Sequence, residues 1–267
     1  MDYRGITALV TGASRGIGRA YAHELARRGA HVVLLARSPG PLAALAAEIR
    51  ERHPVGVHTL VADLSTPDGP AAAVRELETR GIVVDLLVNN AGIGPVGPFL
   101  DRPYGPHRQA VDLNIHGTMA LTYEIGARMV ARGRGGIINV ASTAAFQPLP
   151  YQAGYAATKA FVLSFTEAFA HEVRDSGVRV MAAHPGATDT GFFDGTTATM
   201  DPRVTDSPER VAARTLDDFA CGRLNSYPGR PLHRIQTLAA RVLPRATVVR
   251  ATGALNRRLG HHTATDA

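Results

Sequence analysis

"ITALVTGASRGIGRAYAHELARRGAHVVLLARS" (residues 6–38) decides the fold by the order of its patterns. A short apolar run, 6–10, ends in a glycine-rich turn. A stretch with helical periodicity follows and stops at Gly29. A second apolar run, 31–36, comes next. Two continuous Val/Leu-rich runs joined by a helix imply parallel strands covered on both faces, connected by a right-handed crossover.

The alternation continues outward from this unit. Further strands are expected over 57–64, 84–90, 135–142 and 177–186, with a short last one over 224–229. Helices are expected over 41–53, around 70–80, 106–131 and 153–175, and over 231–245, where Pro244 is placed to end or kink the last one. About seven strands with helices on both faces make an α/β, Rossmann-like, doubly wound parallel sheet. The chain of 267 residues, without repeats or a low-complexity linker, reads as one domain over 1–267. Within it, 5–190 forms the core and 191–267 a variable end.

Composition narrows the classes. An apolar share of 45% with 19% charged residues describes a soluble protein with a sizeable core. One cysteine, Cys221, excludes an internal disulfide. No run is long enough to span a bilayer, and no signal peptide is read in the first residues, so a cytoplasmic location is expected. The net charge is +6, but from Phe219 onward eight arginines face one acid, Asp266. The excess is confined to that end, which argues against nucleic-acid binding by the whole protein. The eleven histidines have no zinc-ligand spacing, so no metal is expected.

The turn "TGASRGIG" (11–18) places Gly12, Gly16 and Gly18 between a strand and a helix N-terminus. It is either an ordinary glycine-rich turn or a cradle in which backbone approaches a pyrophosphate. Its place after the first strand of a doubly wound pattern favours the cradle. An acid after the second strand would hold a ribose diol; here the chain reads Ala36, Arg37 and Ser38. Arg37 and Arg15 together suit a 2′-phosphate, hence NADP(H) over NAD(H).

"GYAATKAFVLSF" (154–165) holds the single lysine of a chain with 28 arginines. Tyr155 and Lys159 are four residues apart, on one helix face. A phenol titrates near pH ~10, and a cation within about 4–6 Å lowers that by about 1–3 units. Ser142, thirteen residues before Tyr155, ends a strand and can bond the same substrate oxygen.

"TGASRGIG", "NNAG" (89–92), Asn114 in "VDLNIHG", Ser142, "YAATK" (155–159) and "PGATDT" (185–190) occur in order over residues 5–190. Together they resemble the short-chain dehydrogenase/reductase family. The resemblance implies hydride transfer between a nicotinamide and a carbonyl or secondary alcohol. Tyr155 would be the general acid or base, Ser142 would polarise the carbonyl, and Lys159 would lower the phenol pKa and hold the ribose. Asn114 would support a water relay, although alone it also reads as a polar residue inside a helix.

For the cofactor, the resemblance implies Gly12, Ser14, Arg15, Gly16, Ile17 and Gly18 at the phosphates and Arg37 at the 2′ position. Asp63 and Leu64 would flank the adenine, though Asp63 also reads as a turn or cap residue. Asn90, Ala91 and Gly92 would lie along the ribose. Pro185, Gly186, Thr188 and Thr190 would hold the nicotinamide end, with Thr188 where an aliphatic residue is usual. A homodimer or homotetramer is implied through the helices over 106–131 and 153–175. An NAD-linked alcohol or steroid dehydrogenase, or a silent dinucleotide sensor, is the alternative to an NADP(H)-dependent reductase of an apolar ketone or 3-oxoacyl-type substrate.

The resemblance implies that 143–155 lines the substrate pocket; Phe146, Leu149, Tyr151, Phe192, Phe193 and Met200 suggest that it is apolar, with 191–200 as a closing loop. Leu232, Ile235, Leu238, Ala239 and Val242 form an apolar stripe, with Arg234, Arg241 and Arg245 opposite. That helix either packs on its own domain or a partner subunit, or lies on an anionic membrane or an acidic partner.

Overall fold

The computed structural model of the chain describes residues 1–194, 196–200 and 203–265. Gly195, inside the expected closing loop, and Asp266 lie outside the described residues. The element order is β1 (Thr7–Thr11), α1 (Gly16–Arg27), β2 (His31–Ala36), α2 (Pro39–Arg52), β3 (Val57–Val61) and α3 (Gly69–Thr79). Then come β4 (Leu86–Asn89), α4 (Tyr104–Val111), a π-helical turn (Asp112–Gly117), α5 (Thr118–Ala131), β5 (Gly135–Val140) and α6 (Ala153–Glu172). The chain continues through β6 (Val178–Ala183), α7 (Pro208–Ala220), β7 (Asn225–Ser226), α8 (Pro231–Val242) and α9 (Arg245–Arg258).

All named strands join one parallel sheet in the order β3-β2-β1-β4-β5-β6-β7. Strand order reverses between β1 and β4, which opens a crevice beyond their carboxyl ends. The two-residue period of β1 explains the layers. Ala8 and Val10 face a core with Tyr21 and Leu25 of α1, Leu45 of α2 and Phe219 of α7. Leu9 faces the opposite core, with Val33, Leu121, Ile125 and Leu77.

The helical stretch expected over 106–131 runs without a break from Tyr104 to Ala131, and its middle turn, Asp112–Gly117, is π-helical, a feature without a hydrophobic-period signature. The helix over 231–245 ends at Val242, before Pro244 as its sequence allowed, and Pro244 caps an unforeseen helix, α9. Finally, the apolar stripe of α8 does not pack on its own domain. The helix buries His233 and Thr237 and exposes Leu232, Ile235, Leu238 and Val242.

Candidate active site

The crevice is built on Thr11, the last residue of β1. Its Oγ1 accepts from the amides of Asn90 and Ala91, each at 2.9 Å, while Asn90 Nδ2 donates to Thr11 O at 2.9 Å. This ties the segment after β4 to the glycine-rich turn. Asn89 serves the core instead: it donates to Thr122 Oγ1 and Asn139 Oδ1, and Asn139 donates to Thr166 Oγ1. A buried chain of satisfied amides thus fixes β4, β5, α5 and α6 relative to one another.

A cavity of about 710 Å³ runs from this turn to the N-terminal end of α6. Gly12, Ser14, Arg15, Gly16, Ile17, Arg37, Asp63, Leu64, Asn90, Ala91 and Gly92 line one part. Ser142, Tyr155, Lys159, Pro185, Gly186, Thr188 and Thr190 line the other. Gly18 and Asn114, expected in the site, are not on its wall. Gly18 sits behind it, where a Cβ would fall 2.2 Å from Gly12 O and 2.5 Å from Asn90 Nδ2. Its role is to let α1 approach the turn. Asn114 is in the π turn, with its amide engaged: Oδ1 accepts from Ile93 N, and Nδ2 donates to Ile93 O and Thr158 Oγ1.

The phosphate end fits a dinucleotide. The first turn of α1 carries no acid and follows directly on the glycines, so its free N–H groups and helix dipole favour an anion. Arg37 Nη1 lies 4.0 Å from Asp63 Oδ2. Desolvation opposes the Asp63 charge, but hydrogen bonds from Ser65 and the Arg37 cation hold its carboxyl below the ordinary value.

At the other end, burial raises the Tyr155 phenol above its ordinary value, and a hydrogen bond with Ser142 works the opposite way. Lys159 is 5% exposed, its Nζ donates to Val140 O at 2.8 Å, and desolvation brings its pKa down to about 8. The sequence argument expects a net lowering of the phenol by Lys159. In the cofactor-free chain burial is the largest influence on both groups, and Nζ lies 5.8 Å from the phenol ring centroid. Ser142 Oγ also accepts from Ala144 N at 3.1 Å, which holds the hydroxyl at the start of the turn after β5.

Leu149, Phe192, Phe193 and Met200 line the cavity as expected from the sequence. Phe146 and Tyr151 do not. Phe146 packs edge-on against His184 beneath Arg241, and Tyr151 accepts a hydrogen bond from Arg257 of α9. Gln147 and Gln152, inside the stretch 143–155 expected to line the pocket, are on the wall, whereas sequence reading missed Asn256, Leu259 and His261 from the C-terminal segment. No local motif marks the last three; they arrive because α9 bonds to the chain before α6, with Asn256 Nδ2 donating to Pro150 O. Gly94 was also missed. A Cβ there would lie 2.5 Å from Tyr155 Cδ2 and 2.8 Å from Phe192 Cζ. Gly94→Ala is therefore expected to displace the Tyr155 ring, lowering kcat about a hundredfold in steady-state assays while dinucleotide binding persists.

Three comparisons place this arrangement among known proteins. A model described as short chain dehydrogenase matches residues 6–201. Oxidoreductase UcpA of Escherichia coli is 36% identical over 84% of this chain and 87% of its own. A very-long-chain 3-oxoacyl-CoA reductase of Laccaria bicolor is 38% identical over 66% of this chain. The chain spans only 53% of that relative's length. A solved short-chain dehydrogenase from Sphingobium yanoikuyae, in complex with NADPH, superposes with a TM-score of 0.78 at 35% identity. The superposition covers 87% of this chain and 92% of that one. Among the described residues no helix is long and apolar enough to cross a membrane. With the cradle, the crevice and the family match in agreement, the chain belongs to the short-chain dehydrogenase family.

Proposed function

We propose that this protein is an NADP(H)-dependent reductase of an apolar ketone or 3-oxoacyl-type carbonyl. The observation that carries the reading is the meeting of Ser142, Tyr155 and Lys159 in the same cavity as the glycine cradle. NADPH, when bound, supplies the hydride. The chain's own part is to orient the carbonyl through Ser142 Oγ and to give its oxygen a proton from Tyr155 Oη. Burial keeps the phenol protonated but opposes release of the proton, and the hydrogen bond with Ser142 works the other way, toward the phenolate. Lys159 holds the nicotinamide ribose and carries the positive charge that stabilises the phenolate left after proton donation.

The apolar substrate class rests on Leu149, Phe192, Phe193, Met200 and Leu259 around the catalytic end. The names of the relatives support it: a 3-oxoacyl-CoA reductase, and a bulky-bulky ketone specific alcohol dehydrogenase from Comamonas testosteroni at 29% identity. Exposed Tyr104, Met119 and Tyr123 on α4 and α5 support the expected homodimer or homotetramer.

Cofactor choice rests on Arg15 and Arg37, which line the same end of the cavity. A hydrogen bond to a charged group contributes about 1.5–3 kcal/mol, roughly ten- to a hundredfold in affinity. The double substitution Arg15→Ala, Arg37→Ala is expected to weaken NADPH binding at least about a hundredfold and NADH binding little. Fluorescence titration of both cofactors checks this. Equal losses would remove the 2′-phosphate role.

A further inference from the structure

We propose that α8 is a docking surface for an anionic lipid bilayer. The helix is turned inside out relative to the usual arrangement, in which the apolar face meets the core. His233 and Thr237 face inward, while Ile235 is 60% and Val242 81% exposed, with Leu232, Leu238 and Leu243 about half exposed beside them. The helix is not free to roll over. His233 Nδ1 lies 3.3 Å from the buried Asp206 carboxylate and covers Gly186, where a Cβ would meet the ring at 2.1 Å. Arg241 lies over the Phe146 ring and Arg234 over the Tyr227 ring. These contacts fix the polar face against the protein and leave the aliphatic face outward.

Charge selects the occupant. Between residues 219 and 265 there are eight arginines and no aspartate or glutamate. Arg223 and Arg230 pair with Asp218 and Asp206, upstream in the chain. Arg234 and Arg241, on the polar side of the helix, lie over aromatic rings, while Arg245 and Arg250 on α9 are exposed and have no ion pair among the described residues. A second copy of the chain would set these cations against their own kind, which opposes self-association. Aliphatic side chains on a convex helix beside exposed arginines match the boundary between acyl chains and anionic headgroups.

The placement is also suggestive chemically. α8 packs on the turn Thr143–Phe146, and α9 is tied to Pro148 and Pro150 and supplies Asn256 and Leu259 to the cavity wall. A bilayer held by α8 would lie beside the substrate end of the crevice.

The test is co-sedimentation with vesicles, which needs no catalysis. The full chain is mixed at low salt with vesicles of phosphatidylglycerol and phosphatidylcholine, and with phosphatidylcholine alone. Binding is expected with the anionic vesicles, much less with the neutral ones, and reversal by high salt. Ile235→Asp with Val242→Asp should abolish it without changing thermal melting, since both positions are exposed. Arg245→Ala with Arg250→Ala should weaken it about 25-fold, from about fivefold per arginine. No binding to anionic vesicles at low salt, or binding undiminished in the Asp variant, overturns the proposal. So does light scattering that shows an oligomer which the Asp variant converts to monomer, with no lipid binding in either.

Discussion

Tyr155→Phe is expected to leave NADPH binding intact while turnover falls at least a hundredfold. The lower end of that loss is the usual contribution of general acid–base catalysis, about 10²–10⁴-fold. Phenylalanine keeps the ring that packs against Phe192 at 5.2 Å between centroids, so the cavity wall should hold. What disappears is the hydroxyl bonded to Ser142 and its proton. Titration of the cofactor beside single-turnover kinetics separates the two effects. Parallel losses of binding and turnover would mean that Tyr155 is structural.

Lys159 should show the opposite balance between stability and activity. Burial brings its pKa from the ordinary 10.5 down to about 8, so in the cofactor-free protein the ammonium is carried at a cost. Below pH 8 it is charged in both folded and unfolded states, and the full cost applies. Between pH 8 and 10.5 the unfolded chain binds the proton and the folded one does not, so folding stability rises with pH across that window. Lys159→Met should therefore stabilise the cofactor-free protein at pH 7 by roughly 3 kcal/mol, with the advantage vanishing toward pH ~10.5, and should abolish turnover. Thermal melts at pH 7 and pH ~10 check the first part.

Lys159→Arg tests why the position departs from the arginine used at 28 others. The ammonium fits between Val140 O, at 2.8 Å, and Gly92, where a Cβ would stand 3.3 Å from Nζ. A planar guanidinium has neither the room nor the point-donor geometry, so turnover should fall about a hundredfold although the charge is kept. Near-normal turnover would refute this explanation.

The sheet was legible in the sequence because its signals are local. Continuous apolar runs mark parallel strands, and the glycines after β1 mark the crossover turn. The strands expected over 57–64 and 177–186 end earlier, at Val61 and Ala183, because the residues beyond them turn into the crevice. Most of the cofactor cradle was legible for the same reason: its residues follow strand ends in fixed motifs. Gly18 and Asn114 carried the family pattern but support the wall from behind, a distinction that depends on three-dimensional contact. Asn256, Leu259 and His261 were not legible, since they reach the cavity through long-range bonds of α9. The periodicity of α8 was read correctly, but periodicity does not state which face turns inward. The inward side was settled by His233 and Asp206, 27 residues apart in sequence.

The central claim is hydride transfer to a carbonyl carbon, assisted by Tyr155. It is tested most directly with NADPH deuterated at the nicotinamide C4 and a panel of bulky ketones and 3-oxoacyl thioesters, with products analysed by mass spectrometry. The account predicts an alcohol carrying one deuterium on the former carbonyl carbon, formed by the wild type and at least about a hundredfold more slowly by Tyr155→Phe. Tight NADPH binding with no deuterated alcohol from any carbonyl, or equal rates for the two proteins, would contradict it.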